Sequence, residues 1–213
     1  MMRMTEQQKP HGLLYHLLDV LLNIVVIVAI VGGIRTFLIS PFQVEGSSMV
    51  DTLENKQYII INKLAFILGK PQRGDVVVFR PPNEKMKYYV KRVIGTPGDT
   101  VIIQGGLVYV KAVGATEAMP LDEDEYLNDR NEGKTYKHPP SSGDTGKVAY
   151  SVPEGQYFLL GDNRQGSLDS RSFVGQDGQP NPYVQEDNIK GRVWFVALPI
   201  TKIHALELPQ YGF

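Results

Sequence analysis

Cysteine is absent from this chain of 213 residues, which excludes disulfides, thiolate metal sites and every mechanism built on a cysteine nucleophile. Histidine is scarce: His11 and His16 lie before or within the first apolar run, His138 in a polar stretch and His204 near the C-terminus. None stands in an H-x-x-x-H pattern, so a zinc hydrolase lacks its ligands and no metal site is expected. A Ser-His-Asp triad through His138 or His204 lacks a recognisable oxyanion-forming turn beside either residue. Charge of one sign is missing too, since 22 Lys and Arg face 23 Asp and Glu. That balance offers no broad basic surface, and no nucleic acid partner is expected. Gly133-Lys134-Thr135 has the end of a phosphate loop, but Asn128 stands where that loop requires glycine. Nucleotide binding is therefore not supported, and no cofactor is expected.

What the chain has is one long apolar run. Val20 to Ile34 contains a single polar side chain, Asn23, and continues through Arg35 to Ile39. About 20 such residues suffice to cross a hydrocarbon core. The reading is a short cytoplasmic tail over 1–16 and a transmembrane anchor over 17–39. Arg35 reaches the headgroups at one end, while Asp19 and Asn23 lie near the opposite interface. A cleaved secretory signal is the alternative, but the run is long and no A-x-A site precedes Pro41. Arg3 and Lys9 before the span point to a cytoplasmic N-terminus, against which Arg35 stands at the far end.

Beyond the anchor, helical periodicity nearly vanishes. Short runs rich in β-branched and aromatic residues recur at 58–62, 75–79, 88–94, 101–103, 107–110, 156–160 and 192–198, separated by turn signals such as Thr96-Pro97-Gly98-Asp99. The spacing predicts a mainly β domain over 40–213, an antiparallel sheet structure closing on itself. At about 114–150 the apolar pattern fades, which predicts a polar insertion or cap whose acidic run, Leu121 to Tyr126, is a solvated loop.

With thiol, metal and histidine chemistry set aside, a serine hydroxyl activated by a neutral lysine amine remains. Ser48-Met49 lies a few residues past the apolar run. Lys91 interrupts the strand-like segment Tyr88-Tyr-Val-Lys-Arg-Val-Ile94, where alternation puts Lys91 and Arg92 on opposite faces, one of them inward. Bringing the amine from about 10.4 to near 8 costs about 3 kcal/mol, which a packed domain tolerates. From the strand alone, a snorkelling surface lysine is the simpler reading.

Four segments in order change that balance: Pro41-Phe-Gln-Val-Glu-Gly-Ser-Ser-Met-Val-Asp-Thr-Leu53, Arg73-Gly-Asp-Val-Val-Val-Phe79, Lys91-Arg-Val-Ile-Gly-Thr-Pro-Gly-Asp99 and Gly161-Asp-Asn-Arg-Gln-Gly-Ser-Leu-Asp-Ser-Arg171. Together, behind an apolar anchor, they resemble the bacterial type I signal peptidases. The resemblance implies a signal-peptidase-like catalytic domain with Ser48 as nucleophile and Lys91 as general base. It implies that Ser167 orients the Lys91 amine, that Gly46 and Ser47 form the oxyanion loop with the Ser48 N–H as first donor, and that Asp169 and Arg171 form a supporting ion pair. Asp162, Asn163 and Arg164 would shape the turn of that segment. Two departures stand out. Gly46 occupies a position where some members carry serine, and Asp51 replaces the usual proline, loosening the turn by about 1 kcal/mol.

The resemblance further implies a membrane-bound serine endopeptidase that removes signal peptides from secretory preproteins, cutting after small residues. Val44, Met49, Leu53, Tyr89 and Val90 flank the dyad and are expected to line shallow pockets, with the extended substrate pairing along 43–46 and 88–90. Preproteins and membrane lipid are the expected partners. The expected location is the cytoplasmic membrane, single-pass, with the catalytic domain on the extracytoplasmic side. Two alternatives share these features in part: a self-cleaving serine-lysine protease, which lacks its DNA-binding half here, and an inactive membrane-anchored β scaffold that binds exported peptides.

Overall fold

The computed structural model describes residues 12–50, 52–84, 86–137 and 146–212. Asp51, His11, His138 and the basic residues of the N-terminal tail lie outside them. The chain divides into two compact units, Met1–Leu38 and Ile39–Phe213.

In the first unit, helix α1 runs Leu13–Gly33, followed by a π-helical turn at Ile34–Leu38. Its 21 residues reach about 31 Å at 1.5 Å per residue, long and apolar enough to cross a bilayer. The polar side chain inside the run is satisfied locally, for Asn23 Nδ2 donates to the Asp19 carbonyl at 2.9 Å. An amide bonded to its own helix does not have to seek water within hydrocarbon.

Among its described residues the second unit has twelve strands: β1 Ile39–Gln43, β2 Tyr58–Asn62, β3 Val76–Phe79, β4 Tyr89–Gly95, β5 Thr100–Gln104, β6 Leu107–Lys111, β7 Met119–Pro120, β8 Val148–Ser151, β9 Gln156–Leu160, β10 Val184–Gln185, β11 Ile189–Leu198 and β12 His204–Ala205. All pairings are antiparallel. The larger sheet runs β1-β2-β11-β3-β4-β9-β10 with β12 on β11, and the smaller runs β7-β6-β5-β8. The larger sheet ends at β1 and β10 rather than closing on itself as expected. Strand β11 serves β2, β3 and β12 because register shifts along it, including those at Val193/Phe195 and Val196/Leu198, let one strand bend across several partners.

Alternation explains which faces are buried. In β6, Val108 and Val110 are buried while Leu107 and Lys111 are exposed. All four residues of β3 are buried because both faces of the larger sheet are covered. Val76 and Val78 join Met49, Leu53, Ile59, Ile61, Val193 and Val196 on one face. Val77 and Phe79 join Val93, Tyr157, Leu159 and Phe173 on the other. A third cluster, including Ile94, Val101, Val110, Leu121, Phe158 and Leu160, joins the two sheets.

The described part of the stretch at about 114–150, residues 114–137 and 146–150, is less open than its polarity predicts. It carries β7 and most of β8, and it buries Leu121, Glu123, Leu127, Asn131 and Thr135. Asp122, Asp124 and Glu125 are exposed as expected, but Glu123 is not solvated. It is drawn inward by a buried arginine described below.

Candidate active site

The loop after β1 carries Ser48. Its shape comes from two anchors: Met49 plugs into the core at 1% exposure, and Val44 is tied to the neighbouring turn by its N–H to the Gln57 carbonyl and by the Lys56 N–H to its own carbonyl, both 2.8 Å. Between them Gly46 has φ +92°, a conformation that costs glycine nothing and strains other residues. Its N–H donates to Asn55 Oδ1 at 3.0 Å.

Strand β4 brings Lys91 to this loop. The amine Nζ lies 2.6 Å from Ser48 Oγ and donates to the Val90 carbonyl at 2.9 Å. Burial is nearly complete, and it pulls the amine pKa down to about 8, against the upward pull of Asp169 and Asp162, with Arg171 adding to the fall. The simple surface-lysine reading is overturned by this burial.

Arg92 is buried as well, at 2% exposure, although alternation calls for only one inward residue. The reason is that both faces of β4 are covered. Arg92 Nε and Nη2 donate to Asp162 at 3.0 and 2.7 Å, Nη1 donates to the Gly74 carbonyl at 2.9 Å, and its guanidinium lies 3.9 Å from the Tyr126 ring centroid. Such a bidentate, stacked arginine has its donors met, the condition for tolerating a buried charge.

The segment 161–171 lies against Ser48 and is fastened by further ion pairs. Arg171 Nε and Nη2 donate to Asp169 at 2.8 and 2.7 Å, both side chains fully buried, the pairing expected of these residues. Burial pushes the Asp169 carboxyl up, but Arg171 and the Gly161 N–H outweigh it and hold the pKa below the ordinary value. Arg164, with no exposure, donates through Nη1 and Nη2 to Glu123, through Nη1 to Thr135 Oγ1 at 2.6 Å and through Nε to the Gly161 carbonyl at 3.1 Å. This arginine is what draws Glu123 out of solvent.

Ser167 is buried beside the dyad, yet its hydroxyl makes no hydrogen bond. The bond from Ser167 to Lys91 anticipated in the sequence is thus not formed; the amine's partners are Ser48 and Val90. Gly161 explains how closely this segment approaches. A Cβ there would fall 2.2 Å from Ser167 Oγ and 2.5 Å from the Ser48 carbonyl oxygen. Gly161→Ala is expected to displace Ser48 from Lys91 and lower kcat by about 100-fold or more, since misplacement by about 1 Å costs on that order; initial-rate measurements on a preprotein check it.

Ser48 and Lys91 lie in a cleft of about 610 Å³ bordered by Phe42, Val44, Ile59, Val78, Tyr88 and Val90, among others. Gly46, Ser47 and Tyr89 border it too, but the Tyr89 ring also packs near Phe79 and Phe173, with centroids 6.3 and 6.4 Å away. Met49 and Leu53 do not line the cleft. Both belong to the core cluster under the sheet, because the chain turns inward immediately after Ser48. Sequence reasoning did not assign Phe42, Tyr88 or Leu168 to the pocket lining, although Tyr88 lies in the stretch 88–90 expected to pair with substrate. The first two were legible as alternation partners of Val44 and Val90, and their rings meet edge to face at 5.4 Å. Leu168, 54% exposed, carried no sequence signal. A larger cavity of about 840 Å³, which includes Thr52, Arg92, Tyr126 and His204, contains neither Ser48 nor Lys91, so size does not identify the site. Among the described residues no group of three or more His, Asp or Glu side chains is placed to hold a metal ion.

A serine hydroxyl in contact with a buried lysine amine, on an antiparallel β scaffold, is the arrangement of a serine-lysine hydrolase. The chain belongs to the signal peptidase, peptidase S26, family, whose model matches residues 17–198. It is 38% identical over 181 residues to signal peptidase I T of Bacillus subtilis, covering 84% of each chain. It is 34% identical over 184 residues to signal peptidase I of Bacillus licheniformis, covering 86% of this chain and 90% of the relative. Among solved structures, a signal peptidase I from Enterococcus faecalis is similar at 30% identity, with 59% of this chain and 97% of the other covered and a TM-score of 0.39.

Proposed function

We propose that this member of the signal peptidase family removes signal peptides from exported preproteins with Ser48 as nucleophile and Lys91 as its base. The observation that carries the reading is the 2.6 Å separation of Lys91 Nζ from Ser48 Oγ around an amine whose pKa has fallen to about 8. The neutral amine accepts the Ser48 proton as Oγ attacks the scissile carbonyl. The resulting ammonium gives that proton to the departing amine, leaving the signal peptide esterified to Ser48. A water then loses its proton to Lys91, attacks the ester and restores the serine. The Ser48 backbone N–H supplies a hydrogen bond to the tetrahedral oxyanion.

Ser167 completes this set. Its buried, unpartnered hydroxyl accepts the remaining N–H of the Lys91 amine when substrate closes the site, aiming the lone pair at Ser48. Val44 and Val90 contact the small side chains that precede the cleaved bond, and the substrate backbone pairs along the cleft as an added strand. Helix α1 anchors the enzyme by a single pass in the cytoplasmic membrane with the β domain on the extracytoplasmic side. Confining enzyme and signal sequence to one membrane raises their effective concentration without new contacts.

The test is cleavage of a preprotein in detergent across pH. The working form is the neutral amine, so kcat/KM is expected to climb about tenfold per unit below the pKa of about 8 and then level off. Stability carries the same sign. The folded amine holds its proton less tightly than the unfolded one, whose ordinary value is 10.5, so the unfolded chain binds more protons between about 8 and 10.5 and stability rises with pH through that window. A rate independent of pH between 6 and 9, or turnover retained in Ser48→Ala, would sink the assignment.

A further inference from the structure

We infer that Asn163 is a positioning residue for the oxyanion site, acting on both peptide units that flank Ser48. Its side-chain Nδ2 donates to the Ser47 carbonyl at 3.0 Å, and its backbone N–H donates to the Ser48 carbonyl at 3.1 Å. Its Oδ1 in turn accepts the Gly166 N–H at 3.1 Å, which fixes the side chain.

The consequence follows from peptide geometry. The Ser47 carbonyl and the Ser48 N–H belong to one planar trans unit and point in opposite directions. Holding that carbonyl toward Asn163 therefore aims the Ser48 N–H away from it. The Ser48 carbonyl and the Met49 N–H are coupled in the same way. One residue, 116 positions from Ser47, thus sets the direction of the N–H on which the developing negative charge depends.

Little else holds this unit. Gly46 and Ser47 are exposed, and nothing lies within 4 Å of where a Gly46 side chain would begin. Packing does not fix the loop there. Among the described residues the other hydrogen bonds to its backbone are local: the Val50 N–H to the Ser47 carbonyl at 3.2 Å and the Gly46 N–H to Asn55 Oδ1 at 3.0 Å. Asn55 holds the entry to the loop and Asn163 its exit.

Donors pointed before reaction begins are the main source of oxyanion stabilisation, and losing one outright costs about 10²–10³ in kcat. Loosening one costs less. Asn163→Ala keeps the backbone bond to Ser48 and loses the one to Ser47, so kcat is expected to fall about 10–100-fold with KM within about twofold, because substrate in its ground state makes little use of the oxyanion donor. Asn163→Asp keeps the size and the Gly166 bond while removing the donor, and the same fall is expected on the plateau above the titration of Lys91.

The decisive comparison uses two peptide probes on full-length enzyme in detergent. A peptide aldehyde, which forms a tetrahedral adduct with the nucleophile, is expected to weaken by the same factor as kcat/KM, whereas an uncleavable peptide of the same sequence keeps its affinity. An unchanged kcat in either variant, a loss confined to KM, or equal weakening of both peptides would overturn the inference. It rests on Ser48 being the nucleophile, and the two failures are distinguishable: active Asn163 variants beside a dead Ser48→Ala overturn only the positioning role, whereas an active Ser48→Ala overturns the nucleophile assignment itself.

Discussion

Lys91→Met is expected to abolish preprotein cleavage while making the β domain more stable. The activity loss is on the order of 10⁴-fold or more, because a nucleophile without its base falls back on binding and oxyanion stabilisation alone. The stability gain comes from the same residue. Lowering the amine pKa from 10.5 to about 8 corresponds to about 3 kcal/mol of penalty for burying the charged form at neutral pH, and methionine fills a similar volume without it. Part of that gain is lost to imperfect packing, leaving about 1–3 kcal/mol. Urea unfolding at pH 7 and at pH 10 separates the contributions. The variant's advantage is expected to shrink at pH 10, where the folded wild-type amine is already neutral. A variant that cleaves within tenfold of wild type would remove Lys91 from the reaction.

How much of this was legible depends on whether a residue's role is local. The run of β-branched residues at 58–62 reads as a strand from its composition, and β2 spans those residues, Tyr58–Asn62. The two-residue strands β7, β10 and β12 leave no periodic trace, since alternation needs several residues to show. Ser48 and Lys91 come together where β4 meets the loop after β1, a juxtaposition that motif order suggested and spacing by itself did not.

The misjudged residues share one cause. Lys91 and Arg92 were expected to divide between core and solvent, which holds for a sheet with one wet face. Here a stretch that looks polar in sequence supplies cover on the second face. Glu123 and Tyr126 do so by meeting arginines rather than by being apolar. Polar residues chosen to satisfy buried charges are invisible to a hydrophobic pattern. The same limit left Gly161 without a role and Asn163 with only a turn-shaping one, although both come close to the Ser48 carbonyl. Met49 and Leu53 failed the other way: neighbours of Ser48 in sequence, they serve the core because the chain turns between them and the cleft.

The buried pairs also set where the structure is most fragile. Arg164→Ala is expected to destabilise the β domain by about 3–5 kcal/mol, the cost of removing one partner of a buried pair and leaving the other charge uncompensated. The stranded group is Glu123, whose side chain is 9% exposed. Thr135 Oγ1 and the Gly161 carbonyl also lose the donors that reach them at 2.6 and 3.1 Å. Replacing both members, Arg164→Met with Glu123→Leu, is expected to recover most of the stability, since apolar side chains of similar volume can substitute for a buried ion pair with little loss. Activity is expected to recover less fully. The Arg164 Nε bond to Gly161 steadies the residue that presses against the Ser48 carbonyl, and methionine cannot make it. Urea unfolding and preprotein cleavage measured on the single and double variants test both halves. If the single change costs under about 1 kcal/mol, the pair is not holding this segment in place. If the double variant regains wild-type turnover along with its stability, the link from Arg164 through Gly161 to the nucleophile is not needed for catalysis.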